Sequence, residues 1–275
     1  MTPTMRTLAG ERAIAAAFRA ARGAERAALI PYLTAGYPTP VASPDLVLAL
    51  QAGGADLIEL GVPFSDPVAD GPTIQRAAGR ALAAGMTPTR CLDLCREVRR
   101  RGVGVPLVLM GYYNPVHAYG PGAYVRDCAA AGVDGLIVPD LPPDEAGPLA
   151  GECRAAGLAL IHLVAPTTPP ERAARIAGET SGFLYVVSRL GTTGGTMAAG
   201  EALAGRLCAL RSVARTPLAV GFGITRPAEV AAVAREADGV VVGSAVVERA
   251  DEGPDALRAY VASLAGALEG REKTG

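Results

Sequence analysis

The strongest constraint in this 275-residue sequence is a set of eight short, almost uninterrupted apolar runs, spaced along the chain between segments with helical signatures. The runs are Leu29–Leu33, Leu57–Leu60, Leu107–Met110, Leu136–Val138, Leu158–Val164, Phe183–Val187, Leu218–Val220 and Val240–Val242. Apolar–polar alternation would mark strands with one wet face, whereas continuous apolarity marks strands covered on both faces, as in a parallel sheet. Parallel neighbours need crossover connections, and the intervening segments supply them. Ser43-Pro44, Thr87-Pro88 and Thr168-Pro169 each set an N-cap residue before a proline at the first helical position, and Thr168 to Glu171 has capping-box spacing. Leu257, Tyr260, Val261, Leu264 and Leu268 form an amphipathic stripe suited to closing an outer ring of helices. Eight strands alternating with helices predict the α/β class and a (β/α)8 TIM barrel, one domain over residues 1–275 with flexible ends at 1–7 and 271–275. The segment from about Leu8 to Arg22 reads as an extra N-terminal helix capping the barrel bottom. The two longest intervals, about 50 residues after the second strand and about 35 after the sixth, predict extended loops there.

Composition closes off whole classes of function. Twenty-six basic and 27 acidic residues give a net charge of −1, without the basic excess that nucleic acid or an anionic membrane requires. No apolar run approaches the roughly 18 residues of a membrane span. Met1 to Gly10 lacks the apolar core of a signal peptide, so a cytoplasmic address is expected. The five cysteines (Cys91, Cys95, Cys128, Cys153, Cys208) form no C-x-x-C pair and read as reduced structural thiols. The only histidines are His117 and His162, neither with a ligand partner at helical spacing, so no metal site is expected. The single lysine, Lys273, lies in a polar tail, which leaves no desolvated amine for Schiff-base chemistry. No cofactor is expected in this chain.

In a barrel of this kind the chemistry sits at the strand C-termini and the loops after them. The seventh strand ends Gly221-Phe222-Gly223, and the eighth ends Val242-Gly243-Ser244 directly before an apparent helix from Ala245. Glycines that admit close approach, beside the free N–H groups of a helix start, predict a phosphate cradle; tight strand-to-helix turns are the alternative. Glu59 lies inside the second apolar run. An apolar setting raises a carboxyl pKa toward neutrality, which suits a general acid, although an arginine partner in a barrel layer would also explain the residue. The loop Val62 to Pro72 carries Asp70, which could cap the helix near Pro72 or serve as a second, differently tuned acid. The loop Arg189 to Ala199, with glycines at 191, 194 and 195, reads as a lid in which Gly194 offers a further N–H to phosphate. Tyr185 offers a phenol either to substrate or to the backbone.

These residues carry a resemblance. Pro31-Tyr32-Leu33-Thr34-Ala35-Gly36-Tyr37-Pro38, the run from Ile58 through Glu59 and Asp70 to Pro72, Asn114 within Tyr112-Tyr113-Asn114-Pro115, and Asp140 all resemble the tryptophan synthase alpha chain family. Ser188-Arg189-Leu190-Gly191-Thr192-Thr193-Gly194 is similar to its sixth-strand motif, except that the family usually has Val where Thr192 stands. The resemblance implies retro-aldol cleavage of indole-3-glycerol phosphate to indole and glyceraldehyde 3-phosphate, without metal or cofactor in this subunit. It implies Glu59 and Asp70 as the catalytic pair, the first protonating the ring carbon that leaves, the second accepting the ring N–H. Phosphate falls to Gly194, Gly223, Gly243 and Ser244; an indole slot to Tyr32, Met110, Ile137, Leu163, Tyr185 and Phe222; the lid includes Arg189 and Thr193. It also implies an α2β2 complex with a pyridoxal-phosphate beta chain, met through the loop after strand two and the Tyr112–Pro115 region. The rivals are a stand-alone indole-releasing lyase, another phosphate-binding barrel enzyme such as an isomerase or epimerase, and a catalytically silent activator of a beta chain.

Overall fold

The computed structural model describes residues 9–188 and 197–269. Its strands, in chain order, are β1 Ala28–Thr34, β2 Ile58–Gly61, β3 Leu107–Met110, β4 Gly135–Ile137, β5 Ala159–Ile161, β6 Leu163–Val164, β7 Leu184–Val187, β8 Leu218–Gly221 and β9 Gly239–Val242. The helices are α1 Glu11–Gly23, α2 Ser43–Ala52, α3 Pro72–Ala83, α4 Pro88–Arg100, α5 Tyr113–Tyr119, α6 Pro121–Ala130, α7 Pro143–Ala156, α8 Pro170–Glu179, α9 Met197–Arg211, α10 Pro227–Ala234, α11 Ser244–Ala250 and α12 Pro254–Gly266. The sheet runs β5-β4-β3-β2-β1-β9-β8-β7-β6, with parallel pairing throughout. Its two end strands are separated by His162 alone, so the ladder closes on itself as a TIM barrel. The fifth apolar run therefore splits into two strands that form one stave. At the break the His162 N–H donates to Thr180 Oγ1 at 3.0 Å, while its carbonyl accepts from the Tyr185 N–H at 3.0 Å.

The strands are buried along nearly their whole length, as the continuous apolar runs require. The predicted N-terminal helix is α1, which lays Ile14 and Phe18 across the barrel bottom; Phe18 stacks on Phe183 at 5.6 Å between ring centroids. The C-terminal stripe buries Leu257, Val261 and Leu264 on α12. Thr87 caps α4 by accepting from the Arg90 N–H, as its Thr-Pro pair predicts. The other two pairs act differently. Ser43 lies inside α2, where its Oγ accepts from the Gly36 N–H at 2.9 Å, and Thr168 accepts from the Ala165 N–H at 3.0 Å while α8 begins two residues later without a capping box. Both hydroxyls stitch a turn instead of a helix end: Ser43 is already the first residue of α2, and the second proline of Pro169-Pro170 moves the start of α8 beyond Thr168. After β2, a loop of residues 62–71 leads into α3 and α4, which account for the long interval. After β7, residues 189–196, which include the expected lid positions Arg189, Thr193 and Gly194, lie outside the described segments.

Three aspartates tie the strands together at the bottom. Asp56, Asp134 and Asp238 precede β2, β4 and β9. Each accepts a backbone N–H from the start of a neighbouring strand, from Leu29 at 2.8 Å, Leu107 at 2.9 Å and Leu218 at 2.9 Å. Each is also paired with an arginine: Arg26 at 2.6 Å, Arg99 at 2.7 Å and Arg211 at 2.9 Å.

Candidate active site

The strand C-termini converge on a cavity of about 600 Å³ including its open mouth. β2 brings Glu59 into it from a position level with Tyr32 on β1 and Val108 on β3. The Glu59 side chain is 1% exposed, and its Oε2 is buried with no hydrogen-bond partner. Desolvation, reinforced by the nearby negative charge of Asp70, pushes its pKa up to about 8, so the carboxyl is protonated at neutral pH. No arginine pairs with it among the described residues, which removes the structural explanation for a buried acid here.

Asp70 enters from the loop before α3. It does not cap that helix: Gly71 is the N-cap, and α3 has no side-chain cap bond. The loop is held by the Ala69 N–H donating to Tyr112 Oη at 2.9 Å, by Gln75 Nε2 donating to the Asp70 carbonyl at 2.9 Å, and by Phe64 stacking on Tyr112 at 5.3 Å. Burial raises the Asp70 pKa to about 6, against a hydrogen bond from the Tyr112 hydroxyl that holds it down. Two carboxyls thus face one cavity with proton affinities pushed apart, one neutral and one ionised near pH 7.

Tyr32, Met110, Tyr185 and Phe222 line the same cavity with Gly223, Gly243 and Ser244. Gly223 has φ +76°, a left-handed turn that suits glycine, and Ser244 is the first residue of α11, where backbone N–H groups lack intrahelical acceptors. Phe222 takes φ +78°, a rare conformation for a bulky residue, and its ring meets Tyr185 at 6.0 Å and 69°. Tyr185 is buried, which raises its pKa and keeps the phenol protonated. Two expected ring walls lie elsewhere. Ile137 is fully buried at the end of β4, covered by its neighbours, and Leu163 lines an adjoining cavity with His162, Asp140 and Phe222. The cavity gains walls the sequence reading missed, chiefly Ile74 from the first turn of α3, and Ile224 and Thr225 after Gly223. In the sequence Tyr112 stands out only as part of a motif; its contact with Asp70 depends on loop geometry that no spacing shows. Asp140 accepts from the Tyr113 N–H at 2.9 Å, which fixes the start of α5 and leaves Asn114 exposed on it.

The chain matches the family described as tryptophan synthase alpha chain over residues 18–273. The chain belongs to the tryptophan synthase alpha chain family. Among curated relatives, the tryptophan synthase alpha chain of Halorhodospira halophila is 49% identical over 262 residues, covering 93% of this chain and 96% of that protein. That of a Roseiflexus species is 50% identical over 258 residues, 92% and 99% of the two chains. Among solved structures, a chain of Mycobacterium tuberculosis tryptophan synthase superposes with a TM-score of 0.86 at 40% identity, covering 95% of this chain and 99% of that one. The alpha subunit from Legionella pneumophila does so at 0.86 and 36% identity, over 94% and 98%. Membership makes this alpha chain a carbon–carbon lyase of tryptophan biosynthesis. No helix among the described residues is long and apolar enough to cross a membrane.

Proposed function

We propose that this alpha chain splits indole-3-glycerol phosphate into indole and glyceraldehyde 3-phosphate with Glu59 and Asp70 as its acid–base pair. The observation that supports it most is the pair of facing carboxyls tuned apart, one held protonated and one ionised near neutral pH. Protonated Glu59 delivers a proton to the ring carbon bearing the side chain, and positive charge builds on the ring nitrogen. Ionised Asp70 accepts the ring N–H and stabilises that charge where it develops. Loss of the proton from the adjacent glyceryl hydroxyl breaks the carbon–carbon bond, so the electrons return to the ring and the released fragment leaves as an aldehyde. The now-ionised Glu59 is suited to take that proton, and the proton count closes. Tyr32, Met110, Tyr185 and Phe222 wall the ring, and Gly223, Gly243 and Ser244, with Gly194 from the lid that also carries Arg189 and Thr193, hold phosphate. Indole then passes to a beta chain carrying pyridoxal phosphate in an α2β2 assembly. The loop that positions Asp70 also presents Val68, 84% exposed, an apolar contact for that partner.

Incubation of the purified chain with indole-3-glycerol phosphate, with and without a tryptophan synthase beta chain, tests the assignment beside Glu59→Gln. Indole release that the beta chain stimulates, with a loss of roughly 10²–10⁴-fold in Glu59→Gln, is expected. Full activity without the partner would identify a stand-alone lyase, and absence of turnover in both conditions would overturn the reading.

A further inference from the structure

The turn that follows β8 is gripped at both of its ends. Phe222 and Gly223 lie in the left-handed region, at φ +78° and +76°, and a phenylalanine keeps that conformation only where its surroundings over-determine it. At one end Ser188, just after β7, donates its N–H to the Gly221 carbonyl and its Oγ to the Phe222 carbonyl, each at 2.9 Å. At the other end the grip is on Thr225. Its N–H and its hydroxyl both donate to Glu229 Oε2, at 2.8 and 3.1 Å, and its carbonyl accepts from Tyr260 Oη at 2.6 Å. Glu229, in the first turn of α10, also accepts the Arg226 N–H at 3.0 Å and two guanidinium bonds. Burial opposes the Glu229 charge, but the bonds from Thr225 and Arg226 outweigh it and hold the pKa down to about 2. Tyr260 comes from α12, and the guanidinium of Arg249 on α11 lies over its ring, 5.7 Å from the centroid. One side chain therefore links the Gly223 turn to the helix that carries Ser244.

Gly223, Ile224 and Thr225 line the catalytic cavity beside Gly243 and Ser244, and no arginine or lysine joins them among the described residues. The ionisable groups nearest to hand are the carboxyls of Glu59 and Asp70, which offer an anion nothing. Among the described residues, a phosphate here has only neutral donors to hold it, and the Gly223 and Gly243 N–H groups have no backbone acceptor of their own. A long cationic side chain adapts its reach to an anion, whereas a backbone N–H bonds only from where the turn puts it, with donor and acceptor about 3 Å apart. Affinity for phosphate then depends on how firmly the turn at Gly223 is held against the wall formed by Gly243 and Ser244.

We infer that Tyr260 and Glu229 are positioning residues for the substrate phosphate: by gripping Thr225 they brace the Gly223 turn against α11 and set the spacing of its donors. The inference rests on the assignment of that cradle to phosphate made above. Neither residue lines the cavity, so both act through the backbone they hold.

Tyr260→Phe removes one hydroxyl and keeps the ring beneath Arg249, and Glu229→Gln keeps the side-chain shape while removing the charge and one acceptor oxygen. Each variant is assayed as the full chain with a tryptophan synthase beta chain, and calorimetry with inorganic phosphate and with indole reads the two halves of the cavity separately. KM for indole-3-glycerol phosphate should rise roughly three- to tenfold with kcat within about twofold, as expected when hydrogen bonds that serve substrate and transition state alike are lost. The dissociation constant for inorganic phosphate should rise by the same factor, and that for indole should stay at the parent value. Equal weakening of phosphate and indole would mean that these bonds only hold the cavity together, and phosphate affinity unchanged in both variants would mean that they do not set the cradle. Either result overturns the inference, as does a parent chain without saturable phosphate binding. A parent that binds phosphate but releases no indole would overturn the proposed function instead, while the calorimetric comparison still decides the brace.

Discussion

Glu59 and Asp70 are ordinary carboxyl groups made unequal by where the backbone puts them. Glu59 sits on a strand with no donor within reach, and Asp70 sits on a loop beside a phenol. On the mechanism proposed above the productive form has Glu59 protonated and Asp70 ionised, so the rate of indole release should follow a bell in pH, rising through about 6 and falling through about 8. A kcat/KM profile from pH 5 to 9 checks both limbs. Tyr112→Phe removes the hydrogen bond that holds the Asp70 pKa down, so the acidic limb should move to higher pH while the basic limb stays. A purely structural role for Tyr112 would lower the whole curve without shifting it. Stability gives a separate readout on Glu59. Its folded-state pKa of about 8 lies above the unfolded value near 4.5, so its favourable contribution is complete below about 4.5 and is lost as pH rises toward 8. Glu59→Gln should therefore be more stable than the parent at pH 8, with the difference shrinking toward pH 5 in denaturant unfolding.

At the scale of elements, the walls of the site depend on glycines that leave room for tyrosines. A Cβ on Gly61, at the end of β2, would stand 1.9 Å from Tyr32 Oη and 2.5 Å from its Cζ; one on Gly221, at the end of β8, would stand 2.3 Å from Tyr185 Oη. Gly61→Ala should push the Tyr32 ring into the cavity and raise KM by about tenfold or more, and Tyr32→Leu in the same chain should recover much of the loss. The double-mutant coupling in KM measures the contact. Such pairs explain how much of the molecule was legible in sequence. The staves were legible because burial on both faces leaves an unbroken apolar signature, and Glu59 stood out as the one charge inside such a run. Gly223 and Gly243, which line the cavity, were visible as glycines at strand ends. What stayed hidden was direction: that Ile137 is covered by its neighbours, that Leu163 faces the adjoining cavity, and that Ile74 swings in from α3. Ser43 and Thr168 misled for a related reason, since a hydroxyl before a proline can bond a turn as readily as a helix end.

The whole barrel separates chemistry from cohesion along its axis. The top keeps an unpartnered acid that costs stability, while the bottom carries the three Asp–Arg pairs, each also accepting a strand N–H. Side-chain exposure grades those pairs. Arg99 and Asp134 are 12% and 0% exposed, Arg26 and Asp56 are 24% and 13%, and Arg211 and Asp238 are 42% and 16%. Removing one partner of a buried pair leaves the other charge desolvated, at a cost of about 3–5 kcal/mol, whereas an exposed pair is worth roughly 0–1 kcal/mol. Asp134→Ala should thus be the most damaging of the three. It strips the Leu107 N–H at 2.9 Å and the Gly10 N–H at 2.7 Å of their acceptor, so β3 and the entry to α1 loosen together. Asp56→Ala should cost less and Asp238→Ala least, because solvent reaches their arginines. Urea unfolding of the three variants, read as midpoint at constant slope, gives the ranking directly. The same variants should keep the bell-shaped pH profile, with both limbs in place, because none of these aspartates lines the catalytic cavity. An equal loss in all three would mean that the shared strand N–H bond, not burial of the ion pair, holds the bottom of the barrel together.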